Sequence, residues 1–244
     1  MIRYLNNKTK QGFSLTVILL IVFSLLVGAL TTAGIVIRYL RITRGVELSE
    51  KAYFCAESVL EAAAYDLLRS YSDVSSYSLS GTYDNCDYST ESVSVDTNNP
   101  NTGNPITNTA PWSITLSPGQ SFQLDLDING TAYPATLQIS RSGSVPSDLI
   151  VYECTTESNP RVCSETMSQT LYTTFPQTLS IDEFSKYYKI KIINRSASDP
   201  EIYTLTPSTD AALPIGIKVQ ASGTYGGYKR YSEINLQKWH KYGI

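Results

Sequence analysis

Apolar and polar positions alternate in three different ways along the chain, and each way predicts a different element. From Phe13 to Ile37 the pattern is continuous: 25 residues with no charge and no proline. At about 1.5 Å per residue a helix over this run would rise roughly 37 Å, more than the roughly 30 Å hydrocarbon core of a bilayer. Beyond it the period becomes helical and one-sided. Ala52, Cys55, Ala56, Val59, Ala63 and Leu67 recur at spacings of three and four, with Glu50, Glu57 and Glu61 opposite. No proline occurs before Pro100, so the pattern predicts one long helix over 13–69, apolar all round in its first half and amphipathic in its second.

From Ser70 to Pro111 the sequence is polar and turn-rich, which predicts an extended surface connection with short strands at most. After it the period shortens to two. WSITL, SFQLDLDI, TAYPATLQIS, DLIVYEC, YYKIKIIN, EIYTLTP, PIGIKVQASG and YKRYSEINLQ read as strands, seven to nine in all. In YYKIKIIN, Tyr188, Ile190 and Ile192 share one face and Lys189 and Lys191 the other. Asn129-Gly130 is a hairpin cue between SFQLDLDI and TAYPATLQIS, and Thr224-Tyr225-Gly226-Gly227 one for a terminal hairpin. The expected fold class is therefore α+β, a long N-terminal helix packed on a C-terminal antiparallel sheet domain over 112–244. The strand count exceeds what one sheet needs, so an inserted β-subdomain is expected between Ser113 and Phe184.

Composition narrows the function classes. Charged residues are 17% of the 244, the net charge is -3, and the few Lys and Arg are scattered, so no nucleic-acid footprint is present. Ser, Thr, Asn and 18 Tyr suit an exported β-rich surface. The apolar run is too long for a cleaved secretory signal, whose core spans roughly 7–15 residues. Arg3, Lys8 and Lys10 precede it and Arg38, Arg41 and Arg44 follow it, so the positive-inside rule does not orient it; the cysteines and polar bulk favour the C-terminal part outside.

Catalytic chemistry finds no motif. A Ser–His–Asp set would need His240, the single histidine, and neither a nucleophile elbow nor a phosphate-binding glycine loop occurs. No catalytic residue, cofactor or metal site is expected, and the chain does not read as an enzyme. Zinc lacks a Cys-x-x-Cys pair. Asp125, Asp127 and Asn129 open like a calcium loop, but Thr136 stands where a bidentate Glu is required, so a half-exposed strand entering a turn explains them. Four cysteines suggest two disulfides in an exported domain, with three pairings open. Cys154 and Cys163 enclose a turn-like loop and are favoured as one pair, which leaves Cys55 with Cys86; free thiols, with Cys55 simply part of the apolar stripe, are the alternative.

The segment KQGFSLTVILLIVFSLL resembles the N-terminus of type IV pilins and pseudopilins: a short basic leader ending in glycine, then Phe, then a long apolar helix. YFCAESVLEAA resembles the amphipathic helix of minor pilins. The resemblance covers about the first 70 residues. It implies a leader over 1–12, a membrane-crossing part over 13–37, and cleavage between Gly12 and Phe13 by a prepilin peptidase, followed by methylation of the Phe13 amine. Loss of the leader would remove Arg3, Lys8 and Lys10 and no acid, shifting net charge from -3 to -6. Residues 70–111 take the place of the αβ-loop, and Gly28 and Gly34 fall where the helix of such subunits can lose its regular hydrogen bonds in a filament; packing through small residues is the competing reading.

One position departs from the family pattern. The fifth mature residue is Val17, where most members carry a Glu that meets a neighbour's amine in the filament core. Within the family that absence is typical of the K-type pseudopilin placed at the filament tip and of some minor pilins, so the resemblance implies a minor subunit, at the tip or with that amine satisfied otherwise. The function implied is a structural minor pilin of a type IV pilus (a fimbrium), supporting assembly and cell adhesion. Its partners would be other pilin subunits, the inner-membrane assembly machinery, and a surface or DNA ligand. It would be a single-pass membrane protein before assembly and extracellular afterwards. The alternatives are a pseudopilin of a secretion or competence system, and a singly anchored extracellular β-domain that never assembles.

Overall fold

The structure, a computed structural model, describes residues 5–69, 73–128, 131–155, 168–181 and 186–243. A single helix, α1, runs over Leu5–Arg69. It starts earlier than Phe13 because nothing in the preceding polar residues stops it: no proline occurs there, and propagation adds one hydrogen bond per residue fixed. The chain divides into two compact units, 1–51 and 52–244. Among the described residues the first is helix alone, and its apolar side chains from Leu15 to Val46 are exposed on every side.

In the second unit the helical residues Ala52–Arg69 lie on a four-stranded antiparallel sheet of order β1-β2-β11-β12: β1 Ser80–Tyr83, β2 Cys86–Asp96, β11 Gly216–Tyr225 and β12 Tyr228–Gln237. The predicted stripe is what packs, since Ala52, Ala56, Val59, Ala63 and Leu67 are buried, with Leu60 beside them. Val59, Leu60, Ala63 and Leu67 meet Ile217, Val219, Ala221 and Leu236. The polar stretch 70–111, expected as a connection, contains β1 and the eleven-residue β2. Its serines and threonines suit a strand that pairs along the whole of β11, with Glu91 bulged out of the register. Gly226 and Gly227, at φ of 57° and 84°, close the β11–β12 hairpin with the left-handed pair that a two-residue turn requires.

Between β2 and β11 the chain builds a second core. One sheet has the order β3-β10-β5-β8 and the other β13-β4-β9-β6-β7. Their strands are β3 Trp112–Leu116, β4 Ser121–Leu126, β5 Thr136–Arg141, β6 Ser147–Thr155, β7 Ser168–Tyr172, β8 Gln177–Ser180, β9 Lys186–Asn194, β10 Glu201–Pro207 and β13 Trp239–Tyr242. Inward-facing residues of both sheets form one cluster, the arrangement of a β-sandwich. Tyr188, Ile190 and Ile192 are buried as their alternation predicted, with Lys189 and Lys191 on the outer face.

The expected subdomain therefore exists but is larger than 113–184. β10 sits centrally between β3 and β5 and cannot be separated from it, and β13 is added from the C-terminus. The thirteen strands among the described residues exceed the predicted seven to nine because β1, β7, β8 and β13 are short and mostly polar and the longer β2 is polar as well. SFQLDLDI and TAYPATLQIS do not form the expected hairpin. β4 pairs with β13 and β9, and β5 with β10 and β8. Phe122, Leu124 and Leu126 enter the core from one sheet and Leu137 and Ile139 from the other, so the connection crosses between layers. Asn129 and Gly130 lie outside the described residues.

Candidate functional site: the apolar helix and its mounting

The part of the molecule with unmet physical demands is the first half of α1. Leu19, Leu20, Phe23, Leu25 and Leu30 are each 65–68% exposed. At about 25 cal/mol per Å² of apolar surface, leaving such residues in water is strongly unfavourable, so this rod needs lipid or other helices around it. The helix is long and apolar enough to cross a membrane. Val17 sits on it exposed, with no titratable group. Gly12 and Phe13 have helical backbone. Gly28 and Gly34 interrupt nothing: the helix is continuous through both. The hydroxyls of Thr31 and Thr32 donate to the Gly28 carbonyl at 2.9 and 2.8 Å, which ties the backbone side of this turn. A Cβ on either glycine would meet nothing within 4 Å.

In the second unit the helix is held by three devices. The inward residues of β11 shrink in order, Ile217, Val219, Ala221, Gly223, and the helix closes on the sheet accordingly. At Gly223 an added Cβ would lie 2.3 Å from the Ala52 carbonyl oxygen, 2.6 Å from the Ala56 nitrogen and 2.6 Å from Cys55 Cβ. Beside this contact Cys55 is disulfide-bonded to Cys86, the first residue of β2, with Cα atoms 6.2 Å apart. The pairing expected by exclusion is thus present; the Cys154–Cys163 pairing lies outside the described residues. At the other end the Tyr77 hydroxyl donates to Asp66 at 2.9 Å. Burial and the Asp66 carboxylate hold the Tyr77 phenol well above its ordinary value.

The sandwich is fastened to the helix-bearing sheet by the C-terminal strand. β12 ends at Gln237, and β13 then joins the edge of the other sheet. Lys238, between them, is buried, and its Nζ lies 2.8 Å from Asp127, which follows β4. Its amide donates to Ile215 and its carbonyl accepts from Asp125. Trp239 then packs edge-on to Trp112, with ring centroids 5.4 Å apart, and stacks on Phe122.

Asp125 and Asp127 of the calcium-like stretch are therefore spent on protein partners, and Asn129 lies outside the described residues. Asp127 holds Lys238, Asp125 accepts from Gln123 Nε2 at 3.0 and 3.2 Å, and Thr136 starts a strand in the opposite sheet. Burial pushes the Asp125 carboxyl above its ordinary value, against the pull of Lys189. Among the described residues no group of three or more His, Cys, Asp and Glu could hold a metal ion. His240 lies exposed on β13, its ring beside Tyr242. Sequence reasoning missed Gly223 and Lys238. A glycine inside a strand pattern signals close backbone approach; a lysine ending an alternating strand carries no such signal.

No protein-family model matches the chain, and no curated protein matches it. Among solved structures, the chain has a slight likeness to one titled "AvmM Catalyzes Macrocyclization in Alchivemycin A Biosynthesis". The two are 9% identical, with 56% of this chain and 92% of that one covered, at a TM-score of 0.13. A TM-score that low carries no argument about fold or function. The α+β architecture, an apolar N-terminal helix long enough to span a membrane and a helix-to-sheet disulfide are what the chain itself establishes.

Proposed function

We propose that the chain is a structural minor pilin: a subunit stored in the membrane by its apolar helix, trimmed after Gly12, and assembled with other pilin subunits into a type IV pilus. The observation that carries this is the exposed rod Leu15–Val46, continuous with a helix that the second unit buries on one side only. A rod of this kind exchanges lipid for neighbouring rods at small cost in apolar burial, since its surface is apolar in both settings. The basic leader before it would bring charge into such a bundle, which is a physical reason to remove it. Prepilin peptidase and the inner-membrane assembly machinery are the processing partners of this reading, and the β-sandwich is the part that faces outward to a surface or DNA.

Mass spectrometry of the protein from membranes and sheared filaments tests it. The expected N-terminus is N-methylated Phe13; a working protein that begins at Met1 overturns the proposal. Where the subunit sits is read separately by gold-labelled antibody, with Val17 fitting a filament end or a core whose amines find other partners.

A further inference from the structure

A lysine buried against a carboxylate brings together an amine and an acyl carbon, the two groups from which an amide is made. Lys238 and Asp127 are such a pair. Lys238 is buried in the passage from β12 to β13, and Asp127 directly follows β4. The Lys238 Nζ lies 2.8 Å from Asp127 Oδ1. That oxygen is buried and accepts no hydrogen bond among the described residues, so the amine approaches the carboxyl group off the line of a hydrogen bond. A buried ion pair lacking that bond is poorly compensated for the water it has lost. Passing one proton from the ammonium to the carboxylate removes both charges and leaves the amine and the acid in their reactive forms.

A third group stands beside them. The Asp125 amide donates to the Lys238 carbonyl at 2.7 Å, which sets the two residues side by side across the ladder. Asp125 and Asp127 are two apart along an extended chain, so their side chains share a face. Burial, with the charge of Asp127 adding to it, holds the Asp125 carboxyl above its ordinary value against the pull of Lys189, Gln123 and Lys238. A carboxyl in that condition can both give and take a proton.

We infer that Lys238 and Asp127 condense after folding into an isopeptide bond, with the Asp125 carboxyl carrying the proton. The Lys238 Nζ, as neutral amine, attacks Cγ of the protonated Asp127 carboxyl. Asp125 takes a proton from the nitrogen and gives one to the departing oxygen. The Nζ–Cγ bond forms, the Cγ–OH bond breaks and one water leaves; Asp125 ends as it began. Nothing is oxidised or reduced, and no co-reactant is consumed. Fixed geometry replaces activation of the acid, since well-oriented groups within one molecule react at effective concentrations of about 10⁵–10⁸ M. The bond closes 238 − 127 = 111 residues of sequence. It joins the segment leaving the helix-bearing sheet to the sandwich, whereas Cys55–Cys86 ties the helix to its own sheet. The cross-link adds to what the ion pair contributes, and only the cross-link survives denaturation. It does not depend on the filament reading.

Peptide mapping of the full chain tests this. Protein taken from membranes in detergent is reduced, digested with trypsin and read by mass spectrometry. The expected species is branched: residues 70–141 joined to residues 231–241, lighter than their sum by one water, with no cleavage after Lys238. Lys238→Arg keeps the positive charge and cannot form the bond. It should release residues 70–141 free, and its reduced, denatured chain should migrate as an open loop, apart from the parent. Asp125→Asn keeps the shape and removes the proton carrier. After a pulse of synthesis it should slow the appearance of the joined species about a hundredfold, with circular dichroism as in the parent. Recovery of the two peptides only as separate species from the parent overturns the inference and leaves an ion pair. A joined species in Lys238→Arg overturns the site, and joining at the parental rate in Asp125→Asn overturns the role given to that carboxyl. The same digest shows whether the chain begins at Met1 or at methylated Phe13, so the cross-link and the pilin reading fail separately.

Discussion

Gly223 lies directly beneath Ala52, so close that a β-carbon on it would stand 2.3 Å from the Ala52 carbonyl oxygen. Backbone meets backbone here, and neither side has a flexible group to give way. Gly223→Ala is expected to cost about 1–3 kcal/mol or more, by forcing the helix off the sheet. Gly81→Ala is the control: its β-carbon would meet the end of the Tyr88 side chain, which can swing away. Thermal unfolding of both variants in detergent should show a large drop for the first and a small one for the second; equal drops would refute the backbone-contact account.

The Cys55–Cys86 bridge closes a sequence separation of 31 residues. Loop-closure entropy for that length predicts a stabilisation of roughly 3–4 kcal/mol. Cys55→Ser with Cys86→Ser should lower the denaturation midpoint by a corresponding amount, read by guanidinium titration. An unchanged midpoint would mean that helix packing alone defines the denatured and native states.

Lys238 and Asp127 form a pair whose side chains are 7% and 14% exposed. Removing one partner strands the other, so Lys238→Ala is expected to cost about 3–5 kcal/mol. The double variant Lys238→Met with Asp127→Leu should recover most of that loss. A double-mutant cycle by chemical unfolding checks it; additive losses would show the two charges to be independent.

Glu201 is buried at the start of β10, and its Oε1 accepts from the Ser142 hydroxyl at 2.6 Å and the Gly143 and Ile202 amides at 2.8 and 3.1 Å. Burial pushes its carboxyl up, but these hydrogen bonds outweigh burial and hold it below the ordinary value of 4.5. A carboxylate so depressed contributes stability that is present above its unfolded pKa and lost as pH falls through the folded one. Melting temperature should therefore fall below about pH 4, and Glu201→Gln should flatten that fall. An acid limb of unchanged steepness in the variant would assign the loss to other groups.

The amino-acid sequence by itself determined the helix and which of its faces is which. An uncharged run from Phe13 and a stripe at Ala52, Val59, Ala63 and Leu67 are local patterns, and a 3.6-residue period converts them directly into surfaces. It also determined the in-and-out alternation of Tyr188, Ile190 and Ile192, because a strand's two faces follow from a period of two. Only the tertiary structure decided which strands are neighbours. Alternation tells a strand which face is buried and says nothing of its partner. So β4 and β5 part into opposite sheets, the polar β2 lies inside a sheet, and the chain passes from one core to the other between β12 and β13. Gly223 and Lys238 belong to the same class: one makes a contact only where two backbones converge, and the other is buried only where the chain passes from one sheet to another.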